Sequence, residues 1–294
     1  MNSRWMIAQG RTVLTAGAVL AVLLLAGGWL FSHPISVSAN QSVILLPAAM
    51  YHSVTDAGDS PAQYVISPSM LESDLQYLQA HGRETVTVRD LLAYVQDGAA
   101  LPEKPVLLTF DDGYYNNYKY AYPLLKQYGM RAVLSPVASL TERFSQTDEA
   151  EQEAWSYCTG RELREMADSG VFEIQNHSYD FHELKPRKGC LRMAGETAAA
   201  YRQCFLSDTR RAQDLFVSLG IEAPVCYTYP YGAVNAEAQA LTAVCGFPVT
   251  LSCEEGVTAL TRDTACLKGI RRNNRDGRWS SAQFWDALLA QTEG

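Results

Sequence analysis

The chain has 294 residues, 47% of them hydrophobic, enough for one sizeable core or two small ones. A formal net charge of -8 at pH 7 argues against a nucleic-acid partner, because phosphate binding needs a basic surface. A neutral or cationic polymer is not excluded by that charge.

From Thr12 to Phe31 no residue is charged, and the run is long enough to cross a bilayer as a helix. Arg4 and Arg11 precede it and the next basic residue is Arg83, so the positive-inside rule puts residues 1–11 in the cytoplasm and the rest outside. Val37-Ser38-Ala39 offers a small-residue cleavage site, and the domain would be secreted if it were used. The apolar run exceeds the roughly 7–15 residues of a signal peptide, which favours an uncleaved anchor and a single-pass membrane protein. Residues 32–42 read as a polar linker and residues 43–294 as a single domain without internal repeats.

Within that domain Val43–Met50 reads as a strand ending in Tyr51-His52-Ser53, followed by a helix from Ser67-Pro68 to His81-Gly82. A second helix follows Thr87 and stops at Gly98. The apolar run Val106–Phe110 then ends in Asp111-Asp112-Gly113, a buried strand delivering two carboxylates to a turn. Adjacent strand residues point to opposite sides, so only that turn can bring both acids to one place. Tyr115–Tyr128 reads as a helix closed by Gly129, Arg131–Val137 as a strand, and the acidic stretch Thr141–Ala154 as a solvated loop.

Thr159 with Glu162 fits a capping box, and the helix it opens stops at Gly170. Val171–Gln175 is a strand running into Asn176-His177, a long helix covers about Glu196–Leu219, and Val225–Tyr229 is a strand running into Pro230-Tyr231-Gly232. A helix at Glu237–Cys245, strands near Val249 and Leu267, and a last helix from Ser281 complete the chain. This alternation predicts parallel βαβ units. His52, Asp111, Asp112, His177 and Tyr231 all lie just past strand C-termini, which share one face in a closed parallel barrel.

His177 and His182 are five residues apart, about 140° on a helix, so a turn rather than a helix has to converge them. With one carboxylate of the Asp pair they make an N, N, O set for a divalent ion with room for water. Asp180, between them, suits a turn-forming or supporting role better than a ligand's. Tyr114, Tyr115, Tyr179 and Tyr229 are candidates for sugar stacking or for ordinary packing. The seven cysteines, from Cys158 to Cys266, lack any CxxC spacing, which speaks against a thiolate metal site. In an exported domain they are disulfide candidates, with an odd one left over and no pairing readable from sequence.

Thr109-Phe110-Asp111-Asp112-Gly113, His177-Ser178 with His182, and Tyr229-Pro230-Tyr231-Gly232 together resemble, in order, the motifs of the polysaccharide deacetylases of carbohydrate esterase family four. The resemblance implies an irregular (β/α) barrel, Asp111 as catalytic base, Asp112, His177 and His182 as ligands of a divalent metal ion with zinc the leading candidate, and the Tyr231 backbone N–H as donor to the oxyanion. It implies a hydrolase that removes N-acetyl groups from an N-acetylglucosamine polysaccharide and releases acetate.

Three departures refine it. Most members place the two histidines four residues apart, and a spacing of five resembles the branch acting on exopolysaccharide poly-N-acetylglucosamine. The third motif usually begins with arginine, here Thr228, so the brace on the base is missing or comes from elsewhere. Arg271 and Arg272 are the candidates, although surface solvation is the expectation for both. No histidine follows His182, and Tyr51-His52 resembles the early pair that takes the general-acid role in the exopolysaccharide branch. Peptidoglycan or chitooligosaccharide deacetylation, and a silent saccharide-binding homologue, are the competing expectations.

Overall fold

The computed structural model describes residues 43–57, 61–147 and 151–292, so the expected anchor at 12–31 and linker at 32–42 lie outside the described residues. Among the described residues no helix is long and apolar enough to cross a membrane. Strands β1 (Ile44–Leu46) and β2 (Ala48–Tyr51) replace the single strand expected over Val43–Met50. Pro47 has no N–H to give the ladder, and its carbonyl accepts from the Leu107 N–H at 3.0 Å. β3 (Ser53–Val54) pairs in parallel with β4 (Val65–Ile66).

Helix α1 (Pro68–Ala80) opens on Ser67, whose hydroxyl accepts from the Met70 N–H. β5 (Glu84–Val86) leads to α2 (Val88–Leu92), which starts on a Thr87–Asp90 capping box and passes through a wide turn to Gly98, at φ 77°. β6 (Pro105–Asp112) is the longest strand. The helix expected over Tyr115–Tyr128 is a wide i→i+5 turn at Asn117–Ala121 followed by α3 (Tyr122–Gln127). Pro123 cannot donate into a continuous α ladder, so the ladder restarts around it.

β7 (Ala132–Pro136), α4 (Ala138–Phe144), α5 (Gly160–Asp168) with its predicted capping box formed, β8 (Phe172–Ile174) and α6 (Ala198–Ser218) follow. β9 (Cys226–Thr228), α7 (Ala236–Val244), β10 (Val249–Leu251), β11 (Thr258–Leu260), β12 (Asn273–Asn274) and α8 (Ser281–Leu289) complete the order. The segment around Leu267 is a 3-10 turn, Thr264–Leu267, rather than a strand, because the Asp263 carboxylate caps the Ala265 N–H.

The strands close on themselves in parallel. β12, β2, β6, β7 and β8 pair in that order, and single bridges join Asn176 to Tyr227 and Leu251 to Ile270, carrying the ring through β9 and β10 back to the Ile270–Asn274 segment. At the first seam two backbone bonds, Asn176 N–H to the Cys226 carbonyl and Thr228 N–H to the Asn176 carbonyl, are extended by Gln175, whose side-chain oxygen accepts from Val225 N–H at 2.9 Å and Cys226 N–H at 2.7 Å. An irregular barrel with two thin seams is the result.

Alternation along β6 then decides what reaches the site. Val106, Leu108 and Phe110 pack outward with Leu71, Leu75, Met166 and Phe216 of the helices. Leu107 packs inward with Val133, Cys226 and Val249, so the same inward column carries Thr109 and Asp111.

Two expectations need correction. The acidic stretch is not wholly solvated: α4 takes its first residues, and Glu153 accepts from Thr55 Oγ1 at 3.0 Å and Tyr120 Oη at 2.7 Å while pairing with Lys119. All seven cysteines are free thiols. Cys226 fills the barrel interior and Cys158 the outer core, so they act as small apolar side chains rather than staples.

Candidate active site

Each of the three motifs contains one residue that is bent against its own steric preference. Asp112, Ser178 and Tyr231 have φ of 70°, 71° and 57°, and they are the non-glycine residues with positive φ among those described. At Asp112 this bend does what the sequence required, turning the second carboxylate to the side already faced by Asp111. Gly113 follows at φ 79°, where an added Cβ would stand 2.5 Å from Pro136 Cβ. Gly113→Ala therefore combines left-handed strain of about 1–2 kcal/mol with overpacking of about 1–3 kcal/mol. A loss of about 2–5 kcal/mol in urea unfolding with an unchanged m value is expected, and a loss under about 1 kcal/mol would contradict this reading.

A cavity of about 530 Å³ at the strand C-termini is lined by His52, Asp111, Asp112, His177, His182 and Tyr231, all six residues singled out from the sequence. His177 Nε2 lies 3.5 Å and His182 Nε2 3.0 Å from the same Asp112 oxygen. The three ligand atoms all fall within 4.8 Å of one another. His177 Nδ1 lies 2.9 Å from the Thr228 carbonyl, which can only accept, so Nδ1 carries the hydrogen and Nε2 is left with its lone pair toward the cavity. Two imidazole nitrogens and a carboxylate oxygen on one side of a point suit a divalent metal with open positions, so the donor set fits the ion that the resemblance implies.

The loop carrying His182 is held by backbone bonds. Asp208 of α6 accepts from the Tyr179 and Asp180 N–H groups at 2.9 and 2.8 Å, and Ser178 Oγ accepts from Phe181 N–H at 3.0 Å. Asp180 itself is exposed and accepts from Ser139, which agrees with the turn-forming role. The Tyr231 ring stacks on His182 with centroids 4.6 Å apart. Of the four aromatic candidates Tyr114 lines the cavity, while Tyr179 and Tyr229 are buried and bonded to Glu142 and Thr242.

Arg272 overturns the expectation of surface solvation. It is fully buried and grips Asp111 with both arms, Nη1 to Oδ1 at 2.7 Å and Nη2 to Oδ2 at 2.9 Å. Its Nε donates to the Ser252 carbonyl at 2.8 Å, fixing the fork. Arg271, in contrast, is exposed and pairs with Glu254. Thr228, where the usual arginine would stand, bonds Ser135 at 2.7 Å through its hydroxyl.

Electrostatics separate the two acids. Burial pushes Asp111 up, but the Arg272 guanidinium, with His177 and His52, more than offsets it and holds the carboxyl below the usual range. For Asp112 burial is likewise opposed, here by the two imidazoles, and the net effect is a strong depression. His182 is pulled up by Asp112 against the opposing effect of burial. His52 is pulled down by burial despite the nearby Asp111 and Asp112, and its buried Nδ1 has no hydrogen-bond partner.

Comparison with known proteins agrees with this geometry. The polysaccharide deacetylase family model matches residues 98–250. YxkH of Bacillus subtilis, itself assigned to the polysaccharide deacetylases, is 27% identical over 227 residues, covering 77% of this chain and 71% of that protein. The poly-β-1,6-N-acetyl-D-glucosamine N-deacetylase of Staphylococcus aureus is 27% identical over 195 residues, covering 65% of this chain and 62% of its own length. Among solved structures a de-N-acetylase from Aggregatibacter actinomycetemcomitans superposes with a TM-score of 0.69 at 23% identity, over 83% of this chain and 100% of that one, which speaks to the fold. With more than half of its length matched, and the matched part containing the carboxylate pair, both histidines and Tyr231, this chain belongs to the polysaccharide deacetylase family.

Proposed function

We propose that the protein is a metal-dependent de-N-acetylase of an N-acetylglucosamine exopolysaccharide, anchored by residues 12–31 with its catalytic domain outside the membrane. The observation that carries the reading is the convergence of Asp112, His177 and His182 beside a second carboxylate held by Arg272. The five-residue histidine spacing, the position of His52 in the cavity and the similarity to the staphylococcal enzyme favour poly-β-1,6-N-acetylglucosamine over peptidoglycan or chitooligosaccharide.

Asp112, His177 and His182 would hold the ion, with zinc the first candidate for such a donor set. When bound it supplies Lewis-acid polarisation of an acetyl carbonyl and a more acidic water. Asp111 takes a proton from the attacking water as its oxygen joins the carbonyl carbon. The Tyr231 N–H donates to the carbonyl oxygen as negative charge develops there. His52 delivers a proton to the amide nitrogen as the C–N bond breaks, leaving acetate and a free amine.

The test is acetate release from each of the three polymers, with and without prior chelation. Release that falls on chelation, returns with zinc and is fastest on the β-1,6 polymer is expected, and release from none of them would overturn the reading.

His52→Gln should lower kcat by about 10²–10⁴-fold, the usual worth of a positioned proton donor. Since the protonated imidazole is the required form and burial lowers its pKa, kcat/KM of the wild type should decline toward alkaline pH with its midpoint below the ordinary histidine value. That limb should vanish in the variant. A retained limb with ordinary kcat would assign the proton to another group.

A further inference from the structure

The cavity described above does not end at the reacting groups. Gln63, Glu255 and Asn274 form part of its wall and are also part of the wall of a second cavity, of about 360 Å³, which continues to Trp279. Large aromatic side chains stand exposed along this path. Tyr231 is 41% and Tyr64 49% exposed in the first cavity, and Trp279 is 48% exposed in the second.

An exposed indole is ordinarily a mobile surface group, and this one sits on a turn that is unusually well fixed. Arg275 is buried and its Nη1 donates to the backbone carbonyls of Asp276 at 2.7 Å and Trp279 at 2.9 Å, binding both ends of the turn. The same guanidinium pairs with Asp74, Nε to Oδ2 at 2.8 Å and Nη2 to Oδ1 at 3.1 Å. Asp74 also accepts from Tyr51 Oη at 3.0 Å, beside His52 in sequence. Gly277 N–H donates to the Ala62 carbonyl at 2.9 Å, and a Cβ at that position would lie 2.0 Å from the Val65 carbonyl, so the turn is pressed against the segment bearing Gln63 and Tyr64.

Charge is unevenly distributed along the path. Asp111 is occupied by Arg272, Asp276 by Arg278, and Glu254 by Arg271. Glu255, at the junction of the two cavities, has no cationic partner among the described residues. An exposed indole on a fixed turn and an unpaired carboxylate lining the same cavity suit an amino sugar, whose C–H face stacks and whose ammonium pairs.

Resting on the deacetylase reading, we propose that the Trp279 cavity is a second sugar subsite. It takes a neighbouring unit of the same polymer that has already lost its acetyl group, with the ring on Trp279 and the ammonium at Glu255. The polymer would lie across Tyr64 between the two cavities. Deacetylation would then be favoured beside units already deacetylated, giving runs of free amines rather than isolated ones.

The experiment titrates the full chain by calorimetry with β-1,6-linked dimers and pentamers of N-acetylglucosamine, fully acetylated or carrying one free amine, and measures acetate release in the same samples. The wild type should gain affinity with length, and gain more for the pentamer with a free amine. Trp279→Ala should reduce the length gain roughly three- to tenfold, and Trp279→Phe should restore part of it. Glu255→Gln should remove the preference for the free amine, a change of roughly two- to fivefold that shrinks in salt. If both variants keep the wild-type length gain and amine preference, the subsite is overturned. If the gain depends on Trp279 but the wild type releases no acetate, the subsite stands and the enzymatic reading falls.

Discussion

Arg272→Met is expected to destabilise the folded chain by about 3–5 kcal/mol near pH 7, the usual cost of leaving one charge of a buried pair without its partner. Asp111 is 2% exposed and has no other guanidinium partner among the described residues, so its carboxylate would lose both charge-assisted donors at once. The pH dependence fixes the interpretation. In the wild type the folded-state pKa of Asp111 is depressed, so its contribution is present above the unfolded value of about 3.9 and is lost as pH falls through the folded value. Without Arg272, burial is opposed only by His177 and His52, so the pKa of the carboxyl rises from its wild-type position, and the stability difference is largest at neutral pH and shrinks on acidification. Urea midpoints of the two proteins should therefore approach one another from pH 7 toward pH 4. Activity follows the same logic: as the proposed base Asp111 would have to be ionised to accept a proton, so the acid limb of the rate is expected to move to higher pH in the variant. A stability difference independent of pH would mean that lost packing, not the ion pair, dominates. The double variant with Asp111→Asn should show strong coupling between the two positions.

That Arg272 is a candidate brace in the sequence while its burial is not legible there is a matter of which forces act over short distances in the chain. The caps at Ser67, Thr87 and Thr159 were legible because a hydroxyl and an amide three residues on satisfy each other locally. The strand ending in Asp111-Asp112 was legible from its apolar run, and the convergence of His177 and His182 followed from rejecting a helix between them. Burying a guanidinium depends on a partner 161 residues away and on carbonyls placed by other strands, which no local pattern reports. One signal was available: in an extended segment Arg271 and Arg272 must face opposite sides, so one of them had to enter the barrel. The seams were equally hidden, since a single bridge at Asn176 is extended by the Gln175 side chain and not by further backbone pairs.

Asp111→Asn is expected to lower acetate release by about 10²–10⁴-fold while metal content stays at the wild-type level. The neighbouring substitution should fail differently: Asp112→Asn removes the carboxylate that both imidazoles face, so metal is lost together with activity. This contrast separates a proton acceptor from a ligand, although the two acids are adjacent and share one cavity. Asparagine at 111 also leaves Arg272 without its counter-ion, and some stability will be lost even though the Ser252 carbonyl still accepts from Nε. Rates should therefore be taken where unfolding curves show the variant to be folded. Metal stoichiometry by mass spectrometry and acetate release, measured on the same samples, give the answer. If Asp111→Asn keeps its metal and hydrolyses as fast as the wild type, Arg272 braces a carboxylate that is structural and another group accepts the proton. If it loses its metal, Asp111 belongs to the donor set and the division of labour between the two acids has to be reversed.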